Sequence, residues 1–256
     1  MRLPGGGQGR WPVSERSLEG RTAVVTGAGR GIGAATAAHL ARRGARVVLA
    51  ARSEEELLKV ARFVADGGGE AMPVVCDLRR PEQIERLFGE ADERFGPVDV
   101  LVNNAGRVCA TPLAELSFDD WQAMLDVNLS AVVLCCQQAL RRMLPRRSGV
   151  IVNVASVAGL CGVPKLPGLT AYAATKGGVI QLSAALAAEV REQGVRVLSV
   201  SPGAVDTTML REVVPEGLPG AMKAADVGRV IAGLVEDESA AVNGCDVPVW
   251  GPPPRS

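Results

Sequence analysis

The stretch TAVVTGAGRGIG, residues 22–33, combines a short apolar run, a glycine-rich turn and the opening of a helix. The run TAVVT is typical of a buried strand, and the small and apolar residues that follow the turn repeat with a helical period. The glycines permit positive φ and a close backbone approach, and the helix N-terminus offers free N–H groups to a phosphate. A glycine-rich turn also occurs without any ligand, so the stretch alone indicates a strand–turn–helix unit with a candidate phosphate site.

Outward from this unit, strand-like and helical segments alternate along the chain. Ser53 opens one helical segment as an N-cap, with Glu56 at the capping-box spacing. The alternation predicts an α/β fold, a doubly wound parallel sheet with helices on both faces. We expect one domain at residues 18–256, preceded by a flexible tail at residues 1–17. The strand-like runs are 22–26, 46–50, 71–76, 98–103, 149–156, 195–200 and 245–250.

Charge balance and composition exclude several function classes. Lys plus Arg and Asp plus Glu number 28 each, which leaves no electrostatic footprint for nucleic acid. No apolar run is long enough to span a bilayer, and the N-terminus is not a signal peptide. Six cysteines without a C-x-x-C pair, and one histidine, argue against a metal site and favour reduced thiols in the cytoplasm. The histidine, His39, is expected to be structural or at the surface.

The single tyrosine of the chain, Tyr172, lies four residues before Lys176 in the stretch YAATK. On a helix these two side chains share one face. An ordinary phenol has a pKa of about 10 and is a poor base at neutral pH, but a neighbouring ammonium lowers that pKa. The pair could therefore exchange a proton with a carbonyl compound or an alcohol. The alternative is a core aromatic residue beside a solvated lysine.

Five motifs follow one another along the chain, TGAGRGIG at 26–33, NNAG at 103–106, NVASVAG at 153–159, YAATK at 172–176 and SPGAVDTTM at 201–209. In the order and spacing of these motifs, the chain resembles the short-chain dehydrogenase/reductase family from about Leu18 to about Gly251. This resemblance implies a single Rossmann-type domain with a seven-stranded parallel sheet. It also implies hydride transfer between NAD(H) or NADP(H) and a small-molecule carbonyl or secondary alcohol substrate.

The resemblance implies catalytic roles for four residues. Tyr172 would be the general acid or base, Ser156 would hold the substrate oxygen, and Lys176 would bond the nicotinamide ribose. Asn128 would lie at a helix kink whose carbonyl holds a water linking Lys176 to solvent. A serine that only caps backbone is the alternative for Ser156. The interval from Ser156 to Tyr172 is longer than is usual in the family, and we interpret residues 159–169 as a longer loop over the substrate pocket.

The resemblance also implies a set of cofactor contacts. At the end of the second strand Ala51 stands where an NAD-dependent enzyme usually has an acid, and Arg52 follows. Because a guanidinium pairs with a 2′-phosphate, which Arg30 could reach from the other side, we expect NADP(H) to be preferred over NAD(H). The alternative is that both arginines are solvated surface charges, and the nearby acids Glu54 to Glu56 favour this alternative. The cofactor-binding set is Gly27, Gly29, Arg30, Gly31, Ile32, Gly33, Arg52, Asp77, Leu78, Asn104, Ala105, Gly106, Tyr172, Lys176, Pro202, Gly203, Val205 and Thr207.

Two long segments, 118–144 and 172–193, are apolar on more than one face, and such helices usually meet a partner. In the family these helices join subunits, so a homotetramer or homodimer is expected.

Two other functions stay open, a catalytically idle dinucleotide sensor and a structural subunit that stabilises an active partner. The substrate classes that stay open are a 3-oxoacyl thioester, a small ketone, a sugar, and a steroid or polyketide.

Overall fold

The computed structural model of the chain describes residues 16–251. The tail expected at residues 1–17 lies almost entirely outside the described residues, as do the last five residues, 252–256. Within the described part, seven strands form one sheet. They are β1 Thr22–Thr26, β2 Arg46–Ala51, β3 Glu70–Val75, β4 Val100–Asn103, β5 Gly149–Val154, β6 Val195–Pro202 and β7 Asp246–Val249.

Helices connect the strands on both faces of the sheet. In the part of the chain that the structure describes, the α-helices are α1 Gly31–Arg42, α2 Glu54–Asp66, α3 Pro81–Phe95, α4 Phe118–Leu125, α5 Ala131–Met143, α6 Thr170–Val190, α7 Thr208–Val213 and α8 Ala224–Leu234. Ser53 caps α2 as predicted, since its side chain accepts a hydrogen bond from the N–H of Glu56 at 3.3 Å.

The strands are all parallel and have the order β3-β2-β1-β4-β5-β6-β7. The chain runs from β1 outward to β3 and then places β4 on the opposite side of β1. The carboxyl ends of β1 and β4 therefore flank the point where the strand order reverses, and open α/β sheets hold their ligands there. The predicted doubly wound, seven-stranded parallel sheet is confirmed.

Side chains of successive residues in β1 enter two separate cores, because they alternate between the faces of a strand. Val25 belongs to a cluster that includes Leu40 of α1 and Ile231 of α8. Val24 belongs to a cluster on the other face that includes Phe88 of α3 and Val179 of α6. Both faces of the central strands are thus buried, as the continuous apolar runs of the sequence indicate.

The contact of α1 with α8 is close enough to require glycine. A Cβ on Gly228 would lie 2.8 Å from the backbone nitrogen of Thr36. His39 is buried one turn further along α1, and this burial lowers its pKa to about 4. His39 is therefore neutral at physiological pH, which agrees with the structural role expected for it.

β5 is shorter than predicted. It ends at Val154 rather than at residue 156, because the chain turns there into a short 3₁₀ helix, Val157–Gly159. Ser156 caps that turn by accepting a hydrogen bond from the N–H of Ala158 at 3.2 Å. The shorter strand leaves Ser156 on the loop at the carboxyl edge of the sheet.

The segment predicted as a long helix at 118–144 consists of α4, a π-helical turn at Asp126–Ser130, and α5. By length and composition the stretch Phe118–Arg146 could cross a membrane, which corrects the expectation from sequence. That expectation sought an unbroken apolar run, whereas polar residues such as Gln137 are dispersed among the apolar ones here. Such a helix is weak evidence for a membrane span, since core helices also have this composition, and Cys135 of α5 is buried against the sheet.

Candidate active site

A cavity of about 860 Å³ extends along the carboxyl edge of the sheet. Small-molecule sites typically enclose roughly 300–1,000 Å³, so this cavity can hold a large ligand. Its lining runs from Ser53 and Asp77 at one end, past the glycine-rich turn, to Ser156 and Tyr172 at the other. The cavity thus has two ends with different chemistry.

The glycine-rich turn brings the start of α1 directly against the end of β1. A Cβ on Gly27, which has φ 63°, would lie 2.9 Å from the Cα of Ala105, and a Cβ on Gly33 would clash with the carbonyl oxygen of Gly27. Arg30, the N-cap of α1, makes no side-chain hydrogen bond to the helix terminus. The first N–H groups of α1 therefore lack a side-chain cap, an arrangement that suits a phosphate.

The NNAG segment fixes the floor of the cavity between β1 and β4. The backbone N–H groups of Asn104 and Ala105 donate to Thr26 Oγ1 at 3.0 and 3.1 Å. The Asn104 side chain donates to the carbonyl oxygens of Thr26 and Gly27 at 2.9 and 3.2 Å. These bonds hold together the ends of two strands that are distant in sequence.

The end of the cavity near β2 and β3 has a charged rim. Arg30 Nη1 lies 3.3 Å from Glu56 Oε1. Arg52 is exposed and also lines the cavity. Hydrogen bonds from Arg79 hold the pKa of Asp77 down, at about 2. The rim thus offers an anion the guanidinium groups of Arg30, Arg52 and Arg79, of which Arg30 and Arg79 are already paired with a carboxylate.

At the opposite end, α6 places Tyr172 and Lys176 on one face, as predicted. Both side chains are buried, with exposures of 9% and 3%. Lys176 Nζ donates to the carbonyl oxygen of Val154 at 2.9 Å and lies 5.9 Å from the centre of the Tyr172 ring. Burial lowers the pKa of Lys176 to about 8, since the positive charge is removed from water.

The pKa of Tyr172 is shifted in the direction opposite to the one expected. Burial raises it above the usual value of 10.0, and the hydrogen bond with the Ser156 side chain opposes this rise. The described hydrogen bond of the Lys176 ammonium goes to the carbonyl of Val154. The phenol is therefore protonated at neutral pH in this structure.

Ser156 has the capping role that the sequence analysis gave as the alternative. Its hydroxyl caps the 3₁₀ turn, through the bond from Ala158, and it also interacts with the Tyr172 side chain. Ser156 and Tyr172 both line the cavity. A ligand atom held by this serine would therefore meet the phenol as well.

Asn128 lies in the π-helical turn, so the helix is irregular where a kink was expected. Its Oδ1 accepts from the N–H of Arg107 at 2.8 Å, and its Nδ2 donates to the carbonyl of Arg107 and to Thr175 Oγ1. A Cβ on Gly106 would lie 3.5 Å from both Asn128 Oδ1 and Lys176 Nζ. Asn128 therefore fixes the loop after β4 close to the lysine.

Most of the predicted site residues lie on this one cavity. Gly33 and Asn128 do not line it, since Gly33 packs against the turn and Asn128 lies behind Gly106. Sequence analysis missed an apolar wall, to which several separate segments contribute single residues without a common spacing. Its members include Val108, Ala158, Leu166, Leu169, Met209, Val213 and Leu218. The predicted residues that line the cavity are Gly27, Gly29, Arg30, Gly31, Ile32, Arg52, Asp77, Leu78, Asn104, Ala105, Gly106, Ser156, Tyr172, Lys176, Pro202, Gly203, Val205 and Thr207.

Known proteins are similar to this chain in sequence and in fold. The short chain dehydrogenase family model matches residues 21–217, which include all five motifs. The chain belongs to the short-chain dehydrogenase family. The 3beta-hydroxysteroid dehydrogenase 1 of Eggerthella lenta is 36% identical over 249 residues, covering 91% of this chain and 94% of that protein. The 3-oxoacyl-[acyl-carrier-protein] reductase of Synechocystis sp. is 40% identical over 202 residues, covering 78% and 80%.

Solved structures of short-chain dehydrogenases match nearly the whole described domain. A variant of actinorhodin polyketide ketoreductase with NADPH has a TM-score of 0.84 at 35% identity, covering 90% of this chain and 96% of that one. A short-chain type dehydrogenase/reductase from Mycobacterium marinum has a TM-score of 0.85 at 30% identity, with coverages of 93% and 97%. The family assignment made from the motifs is confirmed, and the chain is an oxidoreductase of this family.

Members of this family bind a nicotinamide dinucleotide, and the cavity of this chain fits such a group. The helix terminus at Arg30 has no side-chain cap, and Gly29 and Gly31, on either side of Arg30, line the cavity where a pyrophosphate would approach. The polar end at Ser156 and Tyr172 lies across the same cavity. The residues present could therefore hold both halves of the cofactor.

Proposed function

We propose that this short-chain dehydrogenase transfers hydride between NADP(H) and a carbonyl or secondary alcohol, with Tyr172 as the general acid and base. The observation that carries the proposal is the buried pair on α6, a phenol beside an ammonium, which lines the cavity together with Ser156. The two named relatives are a hydroxysteroid dehydrogenase and a 3-oxoacyl reductase, and a matching structure is a ketoreductase.

The bound nicotinamide would supply or accept the hydride, and the side chains of this chain would manage the proton. Ser156 would hold the substrate oxygen against the phenol of Tyr172. The phenol would donate its proton to that oxygen as negative charge develops on it. Lys176, only 5.9 Å from the ring, would stabilise the phenolate left behind.

The direction of the pKa shifts favours carbonyl reduction at neutral pH. Burial raises the pKa of Tyr172, so the group is in its proton-donating form there. Alcohol oxidation needs the phenolate, and we expect it to speed up as the pH rises. Activity in the two directions, measured from pH 6 to pH 10, tests this point. Faster oxidation at pH 6 than at pH 9 would contradict it.

The charged rim supports NADP(H) over NAD(H) as the cofactor. Arg30 and Arg52 both line the cavity at the end of β2, where Ala51 replaces the acid of NAD-dependent members. A carboxylate at that position would repel a 2′-phosphate, and two guanidinium groups attract one. The ion pair of Arg30 with Glu56 weakens this preference, but it leaves the attraction between Arg52 and a 2′-phosphate in place.

The decisive experiment is a screen of ketones and alcohols in which NADPH absorbance is followed, with Tyr172→Phe as the control protein. Turnover by the natural chain and its loss in the variant would support the proposal. NADPH binding without turnover of any substrate would instead support the idle sensor. No cofactor binding at all would leave the structural subunit as the better reading.

We also propose a homotetramer, with a homodimer as the alternative, formed through α5 and α6. Several alanines on the outer face of α6, among them Ala184, Ala185 and Ala188, are exposed in the single chain. Light scattering at micromolar concentration should report more than one copy, and a monomer would contradict this. The buried free thiols of Cys135 and Cys136 are consistent with the cytoplasm as the compartment.

A further inference from the structure

We infer that the substrate is a largely apolar ketone or secondary alcohol that is free in solution, rather than one carried on a protein or a nucleotide thioester. The inference rests on the proposed function and names the substrate class of the same site. It follows from the chemistry of the cavity wall near Tyr172, from the state of the nearby cations, and from the side chains at the mouth.

The wall beside the phenol is apolar. Tyr172 packs in a small cluster of its own, separate from the two cores that sandwich the sheet. Several members of this cluster also line the cavity, and they come from the loop after β4, the loop before α6, and α7. They are Val108, Leu169, Met209 and Val213. A substrate whose reacting oxygen reaches Tyr172 therefore places its neighbouring atoms against hydrocarbon, where apolar groups gain and polar groups lose free energy.

Cations near this wall are already engaged. Among the described residues that line the cavity, Arg107 and Lys176 are the cations away from the charged rim. Arg107 is paired with Asp120 at 2.9 Å, and Lys176 donates to the carbonyl oxygen of Val154. Lys165, on the loop over the pocket, donates to the carbonyl oxygens of Ala158 and Leu160.

An anionic carrier needs free positive charge near the mouth of the site. The Arg107–Asp120 pair is neutral as a unit, and Lys176 is buried inside the site. Lys165 keeps its charge, because its bonding partners are neutral carbonyls, but Glu212 of α7 lines the cavity and offsets it. These side chains therefore give no net positive charge that would steer a phosphate-bearing handle or an acidic carrier protein to the site.

Apolar side chains stand at the mouth of the cavity. Leu166 and Leu218 line the cavity while 54% and 38% exposed. Leu166 belongs to the loop between Ser156 and Tyr172, and Leu218 follows α7. Large apolar side chains kept in contact with water beside a cavity are typical of a surface that meets an apolar ligand.

A series of 2-alkanones from 2-butanone to 2-decanone tests the inference on the natural protein with NADPH. Each buried methylene should raise kcat/KM about fourfold until the wall is covered. Acetoacetyl-CoA should be no better a substrate than ethyl acetoacetate, which presents the same reacting ketone without the handle. A flat alkanone series, or a preference of tenfold or more for the CoA ester, would overturn the inference.

A matched pair of variants tests whether the gain per methylene arises at the apolar wall. Val213→Thr keeps the shape of the side chain and adds a hydroxyl at the cavity surface, so it should lower kcat/KM for 2-decanone about threefold or more. Val214→Thr makes the same change one residue later, at a half-buried position that does not line the cavity, and should stay within about twofold. Equal effects of the two changes would count against the wall.

Calorimetric binding of 2-alkanols to the protein saturated with NADP⁺ separates this inference from the proposed reaction. Tighter binding with each methylene, but without hydride transfer, would defeat the proposed function and keep the apolar site. Hydride transfer without any gain per methylene in binding or in kcat/KM would defeat the apolar site and keep the proposed function.

Discussion

The two ends of the cavity differ in the solvent exposure and in the pairing of their charged groups. At the rim near β2, Arg30 and Glu56 are paired while 54% and 35% exposed. At the end with Tyr172, Lys176 is 3% exposed, and its described polar contact is the neutral carbonyl of Val154. Water and salt screen the rim, so its charges can change at small cost. The buried lysine is unscreened, so its charge affects both the stability of the fold and the neighbouring phenol.

The comparison predicts that substitutions at the end with Tyr172 have large effects on activity and that substitutions at the rim have smaller ones. Loss of the phenol should be the most severe. Tyr172→Phe keeps the ring and its packing but removes the proton donor, so kcat should fall by roughly 10² to 10⁴. NADPH binding, followed by its fluorescence, should be largely retained. Activity within a few-fold of the natural protein would remove Tyr172 from the mechanism.

Lys176→Met should reduce activity and yet stabilise the fold. The folded-state pKa of about 8 lies below the ordinary 10.5, so the protonated lysine costs stability at every pH below about 8. This cost disappears as the pH rises towards 10.5, where the lysine is neutral in both states. At pH 7 the variant should therefore be more stable by about 2 to 3 kcal/mol, with the lost hydrogen bond to Val154 included.

Urea unfolding at pH 7 and at pH 10 measures this difference, which should shrink at the higher pH. Lys59→Met is the matched control, because Lys59 is exposed and paired with Glu55 on the surface. The Lys176 variant should also need a higher pH for alcohol oxidation and bind the cofactor more weakly. A variant less stable than the natural chain at pH 7 would show that burial of the ammonium is not costly here.

At the rim, the double change Ala51→Asp with Arg52→Ala should reverse the cofactor preference. A charge-assisted bond from Arg52 to a 2′-phosphate corresponds to about a tenfold to hundredfold preference for NADPH over NADH. The ratio of kcat/KM for the two cofactors measures it in both proteins. Arg62→Ala, on the solvent side of α2, should leave the ratio unchanged. Equal use of NADH by the natural protein would defeat the prediction.

The smallest expected effect is at Glu56. Glu56→Gln removes the charge that engages Arg30, and it retains the backbone N–H that Ser53 caps. NADPH should then bind up to about fivefold more tightly, while NADH binding hardly changes. Glu55→Gln removes a neighbouring acid that is paired with Lys59 and should do nothing. If both variants bind NADPH equally, Arg30 is not restrained by Glu56.

The local sequence determined the fold and the identity of the motif residues. The strand at 22–26, the glycine-rich turn after it and the alternation of strands with helices depend on residues that are neighbours in sequence and on the handedness of crossovers. Neither of these depends on the final packing of side chains. Each predicted strand formed within about two residues, as the ends of elements depend on caps such as Ser156. The placement of Tyr172 and Lys176 on one helical face followed from their spacing alone.

Tertiary structure decided the properties that depend on surroundings. The pKa of Tyr172 rises because folding buries the phenol in a cluster with residues such as Val108 and Met124, and a spacing of four residues contains no information on solvent. The partner of Lys176 is a carbonyl on β5, far away in sequence. The apolar wall around Tyr172 likewise combines single residues from distant segments. A desolvation energy, a long-range hydrogen bond and a cavity wall depend on atoms that only folding brings together. The motifs therefore identified candidate catalytic residues, and the packing determined the surroundings of those residues.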